Sequence, residues 1–261
     1  MDIAIGLPNT LEISGPAIVE WARRAEERGF SSLGTIDRIV YPSYDSLTAL
    51  AAAAGATSRI RLFPDILLTP LYPPAWLVKA TASLDAISGG RLTLGLGVGA
   101  REDDFVAMGR PFHRRGRLMD EALDLLKRGW AGEPVGGGEF PVGPRPAARV
   151  PLMIGGTSDA AVRRTVRHGE GWTAGSATPE MAATMIERVR RAWRESGREG
   201  EPRFAALAYF GLSDEEASRA SLRRYYGNLG DWADTIADAA LRSPQDLKAA
   251  VQAFAGIGVT E

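Results

Sequence analysis

Short β-type runs alternate with amphipathic helical stretches almost from end to end of this chain, and no other feature restricts its fold as much. The first run is Ile3–Leu7. A helix follows in which Pro16 suits the first turn, Ile18, Trp21, Ala22 and Ala25 form one apolar stripe, and Gly29 sits where a helix-terminating glycine belongs. Ser32–Ile36 reads as a second strand, Ser46–Ala54 as a helix, and Ile60–Leu68 as a third strand. Pro74 opens a helix that ends at Gly89-Gly90, Arg91–Leu96 is a fourth strand, and Leu118, Ala122 and Leu125 mark the next helix.

The rhythm breaks at Ala131–Arg149, where five glycines and four prolines mark an inserted loop with room for a hairpin. It resumes with Pro151–Ile154, a helix near Asp159–Arg167, and a short strand around Trp172–Ala174. Thr178-Pro179-Glu180 begins another helix, Phe204–Gly211 is the seventh strand, Ser213 and Glu216 suggest a capping box, and Ser243-Pro244 starts the last helix. An eighth strand begins at Ile257, and the chain stops inside it at Glu261. Consecutive parallel strands joined by helices form either a closed (β/α)8 barrel or an open doubly wound sheet. Eight units in 261 residues favour the TIM barrel, as one domain over 1–261, with its last strand and helix truncated and an insertion after strand four.

Composition removes whole classes of chemistry. With no cysteine, the chain has no disulfide, no thiolate nucleophile and no cysteine-held metal. His113 and His168 are its two histidines, too few for a multi-histidine metal site. The net charge of −1 gives no footprint for nucleic acid or a membrane surface. The N-terminus has no leader pattern and no apolar run reaches the roughly 18 residues of a membrane span, so a cytoplasmic protein is expected.

In such barrels the chemistry sits at the C-terminal ends of the strands. Those positions carry Asp37-Arg38, Pro64-Asp65-Ile66, Gly97-Val-Gly99-Ala100-Arg101, Gly155-Gly156-Thr157-Ser158, and Trp172 to Ser176. Gly155-Gly156 would let a ligand approach the backbone closely, and the helix that follows presents free N–H groups suited to a phosphate; a plain helix cap after a tight turn reads the same residues without a ligand. Gly95-Leu-Gly97-Val-Gly-Ala100 also fits a dinucleotide fingerprint. It lies on the fourth βα unit, however, and the acids about twenty residues on, Asp120 and Glu121, fall on a helix.

The ordered set Asp45–Leu50, Thr57–Leu62, Ala82–Leu92, Leu94–Gly99, Arg101–Phe105, Gly109–Phe112 with Arg115-Gly116, Met153–Ser158 and Gly169–Trp172 resembles the bacterial luciferase-like superfamily over roughly residues 1 to 175. The resemblance implies a barrel that binds reduced FMN or the deazaflavin F420, and either inserts oxygen or transfers hydride. It implies cofactor contacts at Asp65, Ile66, Gly97, Gly99, Arg101, Gly155, Gly156, Thr157, Ser158 and Trp172, and a non-proline cis bond at Asp65–Ile66 that backs the cofactor ring. Pro64 suits an irregularity there, because it cannot donate to a central ladder.

Asp37, Arg38 and His113 are the candidate catalytic groups. Asp37 matches the acid of the Asp-His pair in deazaflavin-using relatives, whereas Arg38 replaces the histidine and cannot shuttle protons near neutral pH. His113 would be an acid or base at the rim, or a surface histidine. Asp104 and Arg115 are expected in loop-fixing ion pairs, and core packing is the competing role of Trp172. Oxidation of a small organic substrate with reduced FMN, F420-dependent hydride transfer and a non-catalytic flavin-binding barrel all remain open. A separate flavin reductase and a second copy in a homodimer are the expected partners.

Overall fold

The computed structural model describes residues 1–261. In chain order it contains β1 (Ile5–Gly6), α1 (Gly15–Glu27), β2 (Ser32–Thr35), α2 (Ser46–Ala56), β3 (Arg61–Pro64), β4 (Leu67–Leu68), α3 (Pro74–Ser88), β5 (Leu94–Gly97), α4 (Glu102–Ala107), α5 (Arg115–Trp130), β6 (Leu152–Gly155), α6 (Asp159–His168), β7 (Gly171–Ser176), α7 (Pro179–Glu195), β8 (Arg203–Leu207), α8 (Glu215–Tyr226), α9 (Asp231–Asp238) and α10 (Pro244–Gly256). Every strand pair is parallel, in the orders β1-β2-β3 and β4-β5-β6-β7-β8. No helix is long and apolar enough to cross a membrane.

The third strand of the sequence reading is therefore two. The peptide bond between Asp65 and Ile66 is cis, where the resemblance places one, and the pairing changes sheet at that point. Lower down, the two arcs stay joined through backbone: Leu62 N–H donates to Arg91 and Thr93 N–H donates to Leu62. At the other seam the tail acts as a partial eighth strand. Thr260 N–H donates to Phe204, and Asp2 N–H donates to Thr260, which links β8 to the N-terminal run.

Strand alternation separates two interiors. One set of residues, including Leu33, Leu62, Leu94, Leu96, Leu152 and Ile154, packs with Leu50, Leu77, Met119 and Leu123 of the helical layer. Trp172 and Phe204 do the same with Ile186 and Val189 of α7. The other set faces the barrel axis. Phe63, Met153 and Ala205 form a separate cluster, and strands β3, β6 and β8 are not neighbours, so these side chains meet across the barrel.

Below that cluster lies a charged floor. The Glu261 carboxylate accepts from Ser31 and Ser32 and pairs with Arg61 at 2.9 Å and Arg203 at 3.4 Å.

Several local expectations shift by a residue or more. The cap of α8 is Asp214, whose side chain accepts from Ala217 N–H, rather than Ser213. Asp104 and Arg115 do not pair. Asp104 Oδ1 accepts the N–H groups of Ile39 and Val40, while Arg115 donates to the Phe112 carbonyl and lies over its ring, because the buried Asp104 meets backbone before any cation. Residues 131–151 are irregular apart from one bridge, Pro134 with Pro141.

Candidate active site

Asp37 leaves the end of β2 and is buried. Its carboxylate accepts from Leu68 N–H at 2.9 Å and from the Tyr72 hydroxyl at 2.9 and 3.0 Å. Burial outweighs these bonds and pushes its pKa up to about 6. The Tyr72 ring stacks on Trp76, which fixes the hydroxyl's direction. Arg38 points elsewhere. Its guanidinium donates to the Tyr225 carbonyl at 2.6 Å, stands 3.7 Å from Asp103, and lies over the rings of Tyr41 and Tyr225. Arg101 converges on the same place, donating to Asn228 and to the Tyr225 carbonyl and lying over the Tyr225 ring. The two arginines thus grip the C-terminal turn of α8.

Asp65 and Ile66 diverge. Both Asp65 oxygens lie within hydrogen-bond reach of the Thr173 hydroxyl, at 2.8 and 3.0 Å, and burial pushes this carboxyl up to about 7. Ile66 instead fills a slot made by missing side chains: a Cβ on Gly97 would stand 1.9 Å from Ile66 Cδ1, and one on Gly155 would stand 3.1 Å from it. Gly99 lies one step beyond, against Phe105 and Leu68.

At the end of β6, Gly156 has φ +107°, a conformation that side-chain-bearing residues rarely adopt, and Thr157 and Ser158 are exposed. Ser158 caps α6 by accepting from Ala161 N–H. Arg188 of α7 reaches this turn, donating to the Thr157 carbonyl and to Asp159. Trp172 supports it from behind: the ring lies in the outer core and its indole N–H donates to the Gly156 carbonyl. His113 is exposed on a short turn before α5, edge-on to Phe112. The structure therefore gathers Asp65, Ile66, Gly97 and Gly155 along the barrel axis, places Asp37 and the Gly156–Ser158 turn at strand ends, and leaves His113 on the surface.

A cavity of about 520 Å3 opens between β8 and β1. Asp65 lines it, together with Leu7, Trp21, Ile36, Phe63 and Leu222, and Glu261 contributes to its lining from the charged floor.

A family model described as luciferase-like monooxygenase matches residues 5–257. The chain belongs to the luciferase-like monooxygenase family. An uncharacterized protein of Mycobacterium tuberculosis is 32% identical over 206 residues, which cover 68% of this chain and 71% of that protein. Among solved structures, monooxygenase RslO1 from Streptomyces bottropensis superposes with a TM-score of 0.78 at 24% identity, over 98% of this chain and 89% of that one. The coenzyme F420-dependent tetrahydromethanopterin reductase of Methanopyrus kandleri does so with a TM-score of 0.77 at 20% identity, over 99% and 91%. The fold is thus the luciferase-like barrel, and the family is one of oxidoreductases and monooxygenases.

The sequence assigns no site role to Tyr72, Arg188 or Tyr225, places Arg188 on a solvated basic helix face, and includes Thr173 only within the Trp172–Ser176 strand end. Each acts through a partner far along the chain, Thr173 on Asp65 across 108 positions and Arg188 on Thr157 across 31, so no local motif announces them.

Proposed function

We propose that this luciferase-like chain is a flavin-dependent monooxygenase that takes reduced FMN from a separate flavin reductase and oxidises a small organic substrate. The observation that carries the reading is the turn at Gly156–Ser158. It is exposed, it opens a ten-residue helix whose first-turn N–H groups suit a phosphate, and the Arg188 guanidinium, bonded to the Thr157 carbonyl and to Asp159, lies beside it. Gly97 and Gly155 leave the space that Ile66 fills, so a flat ring would rest against Ile66 and not on the glycines.

In this reading Gly155, Gly156, Thr157 and Ser158 hold the phosphate end, with Ile66, Gly97 and Gly99 near the ring. Reduced flavin supplies the electrons that activate oxygen. The chain's own part is to bind and orient. Asp37 keeps the β2 end fixed through Leu68 and Tyr72, and Arg38, gripped by the Tyr225 carbonyl, holds a permanent positive charge close to the mouth. A guanidinium there cannot relay a proton, which favours oxygen insertion over hydride transfer assisted by a histidine. Asp37 itself, matching the acid of the deazaflavin pair, supports a second reading with F420.

Equilibrium binding of FMN and of F420, followed by fluorescence with and without inorganic phosphate, tests the assignment. FMN should bind more tightly, phosphate should compete, and Gly156→Val should weaken binding by blocking backbone approach. Equal binding of both cofactors to wild type and Gly156→Val would overturn the site. Tight binding without turnover of reduced cofactor would make the chain a flavin-binding barrel instead of an enzyme.

A further inference from the structure

Three carboxyl groups line the cavity between β8 and β1, and two are fully committed. Asp214 accepts from Ala217 N–H as the cap of α8, and Glu261 is held by Arg61, Arg203 and two serines. Asp65 is different. Its one partner is the Thr173 hydroxyl, and although it lies deep in the barrel it is part-exposed, towards the cavity.

We propose that Asp65 is the specificity-determining group of this cavity, which holds the substrate, and that as a neutral acid it donates a hydrogen bond to an oxygen acceptor on an uncharged, largely apolar molecule. That this cavity holds the substrate rests on the monooxygenase reading above; its ligand chemistry does not.

A carboxylate accepts only, whereas a neutral carboxyl has one O–H to give, and a threonine hydroxyl has one more. With both Asp65 oxygens addressing the same Thr173 oxygen, a neutral carboxyl and the hydroxyl would hold two protons between them and satisfy only one of them well internally. The second is available to whatever occupies the cavity.

The charges around Asp65 favour the neutral form. From the floor it faces Glu261, a like charge, whose attendant Arg61 and Arg203 are already paired. Asp37, at the β2 end, is a carboxyl itself pushed up by burial. From the β8 side and α8 come Tyr209 and Tyr225, whose hydroxyls burial raises well above their ordinary range, and Asp214; Tyr41 lies across the opening. Arg38 and Arg101, the cations nearest the mouth, are held on Tyr225. β1, β5 and β6 carry no titratable residue. No cation therefore neutralises an ionised Asp65, and burial pushes its pKa up to about 7.

The rest of the lining sets the ligand's body. Leu7, Trp21, Ile36, Phe63 and Leu222 are apolar, and about 520 Å3 suits a ring with small substituents.

The test uses the full chain, with cyclohexanone as the uncharged acceptor and cyclohexylamine as a cationic probe of the same size, followed by ligand-observed NMR from pH 5.5 to 8.5. Cyclohexanone should bind with constant affinity at low pH and weaken about 30-fold by pH 8.5, as a donor with a pKa near 7 is lost. Asp65→Asn keeps an N–H donor, so it should bind cyclohexanone within about threefold of the low-pH wild type at every pH. Thr173→Val, close to isosteric, removes the hydroxyl that stabilises the carboxylate, so the midpoint should move to higher pH.

Cyclohexylamine binding more tightly as pH rises would show a carboxylate receptor and overturn the proposal. So would a pH dependence that survives in Asp65→Asn, or no cyclohexanone binding by wild type. FMN binding to the same proteins separates the two readings: ketone recognition without FMN binding sinks the flavin assignment alone, and FMN binding without ketone recognition sinks this one alone.

Discussion

A Cβ on Gly97 would stand 1.9 Å from Cδ1 of Ile66. No rotamer change on an alanine can relieve such a contact, so the larger partner has to move. Gly97→Ala should destabilise the chain by about 1–3 kcal/mol, the usual range for overpacking a filled interior. Ile66→Val removes the offending methyl, and the double variant should recover most of the loss. Urea unfolding of the two single variants and the double variant checks this; losses that simply add would refute the contact.

Two interior carboxyls with raised pKa values give the chain a characteristic pH response. Asp37 is raised to about 6 and Asp65 to about 7, both from 3.8. A raised folded pKa means that stability is fully present below the unfolded value and is lost as pH climbs through the folded value. Asp37 alone corresponds to about 3 kcal/mol across that window. Asp65→Asn cannot ionise, so between pH 4.5 and 8 it should gain stability relative to wild type by about 2–4 kcal/mol. Denaturant midpoints at the two pH values read the difference directly, and a constant gap would reject the assignment.

Arg188 bonds to the Thr157 carbonyl and to Asp159. Removing its charge leaves Asp159 unopposed at the helix start where a phosphate is expected. Arg188→Gln should weaken FMN binding about tenfold and flatten its dependence on salt. Unchanged affinity at low ionic strength would place the phosphate elsewhere.

The Glu261 carboxylate is almost wholly buried, while Arg61 and Arg203 are about one-third exposed. Glu261→Gln should therefore cost less than the loss of a fully buried pair, about 2 kcal/mol. Thermal unfolding at constant pH measures it, and an unchanged midpoint would show that the floor is held by backbone alone.

Much of this architecture is legible in the residues. Thr178 and Ser243 cap α7 and α10 as their Ser/Thr-Pro pattern implies, and Ser158 caps α6. Period-two alternation assigns Trp172 to one face and Thr173 to the other, yet it does not say which face looks inward. α9 escapes because Gly230 precedes it with no capping side chain. The Ile60–Leu68 run reads as one apolar strand, since periodicity does not register a change of sheet midway along it. The partners of Arg38 and Arg101 escape for another reason: both donate to the backbone carbonyl of Tyr225, a group every residue possesses.

The bond from Leu68 N–H to Asp37 has a mechanical meaning. The barrel is a ring of two arcs. Near the floor the arcs are riveted by main-chain bonds from Leu62 to Arg91 and Thr93, which no change of pH can undo. At the mouth the fastener is a side chain, Asp37, reaching from the end of β2 to the first residues after the break, and its charge is lost on acidification through about pH 6. Because burial raises the folded pKa, opening that fastener is harder when Asp37 is neutral, so the mouth should be stiffer in mildly acidic solution and more compliant in neutral solution, while the floor is equally rigid in both. Amide exchange at Leu68, compared with exchange at Leu62 across that range, would register the difference as a loosening confined to one end of the ring.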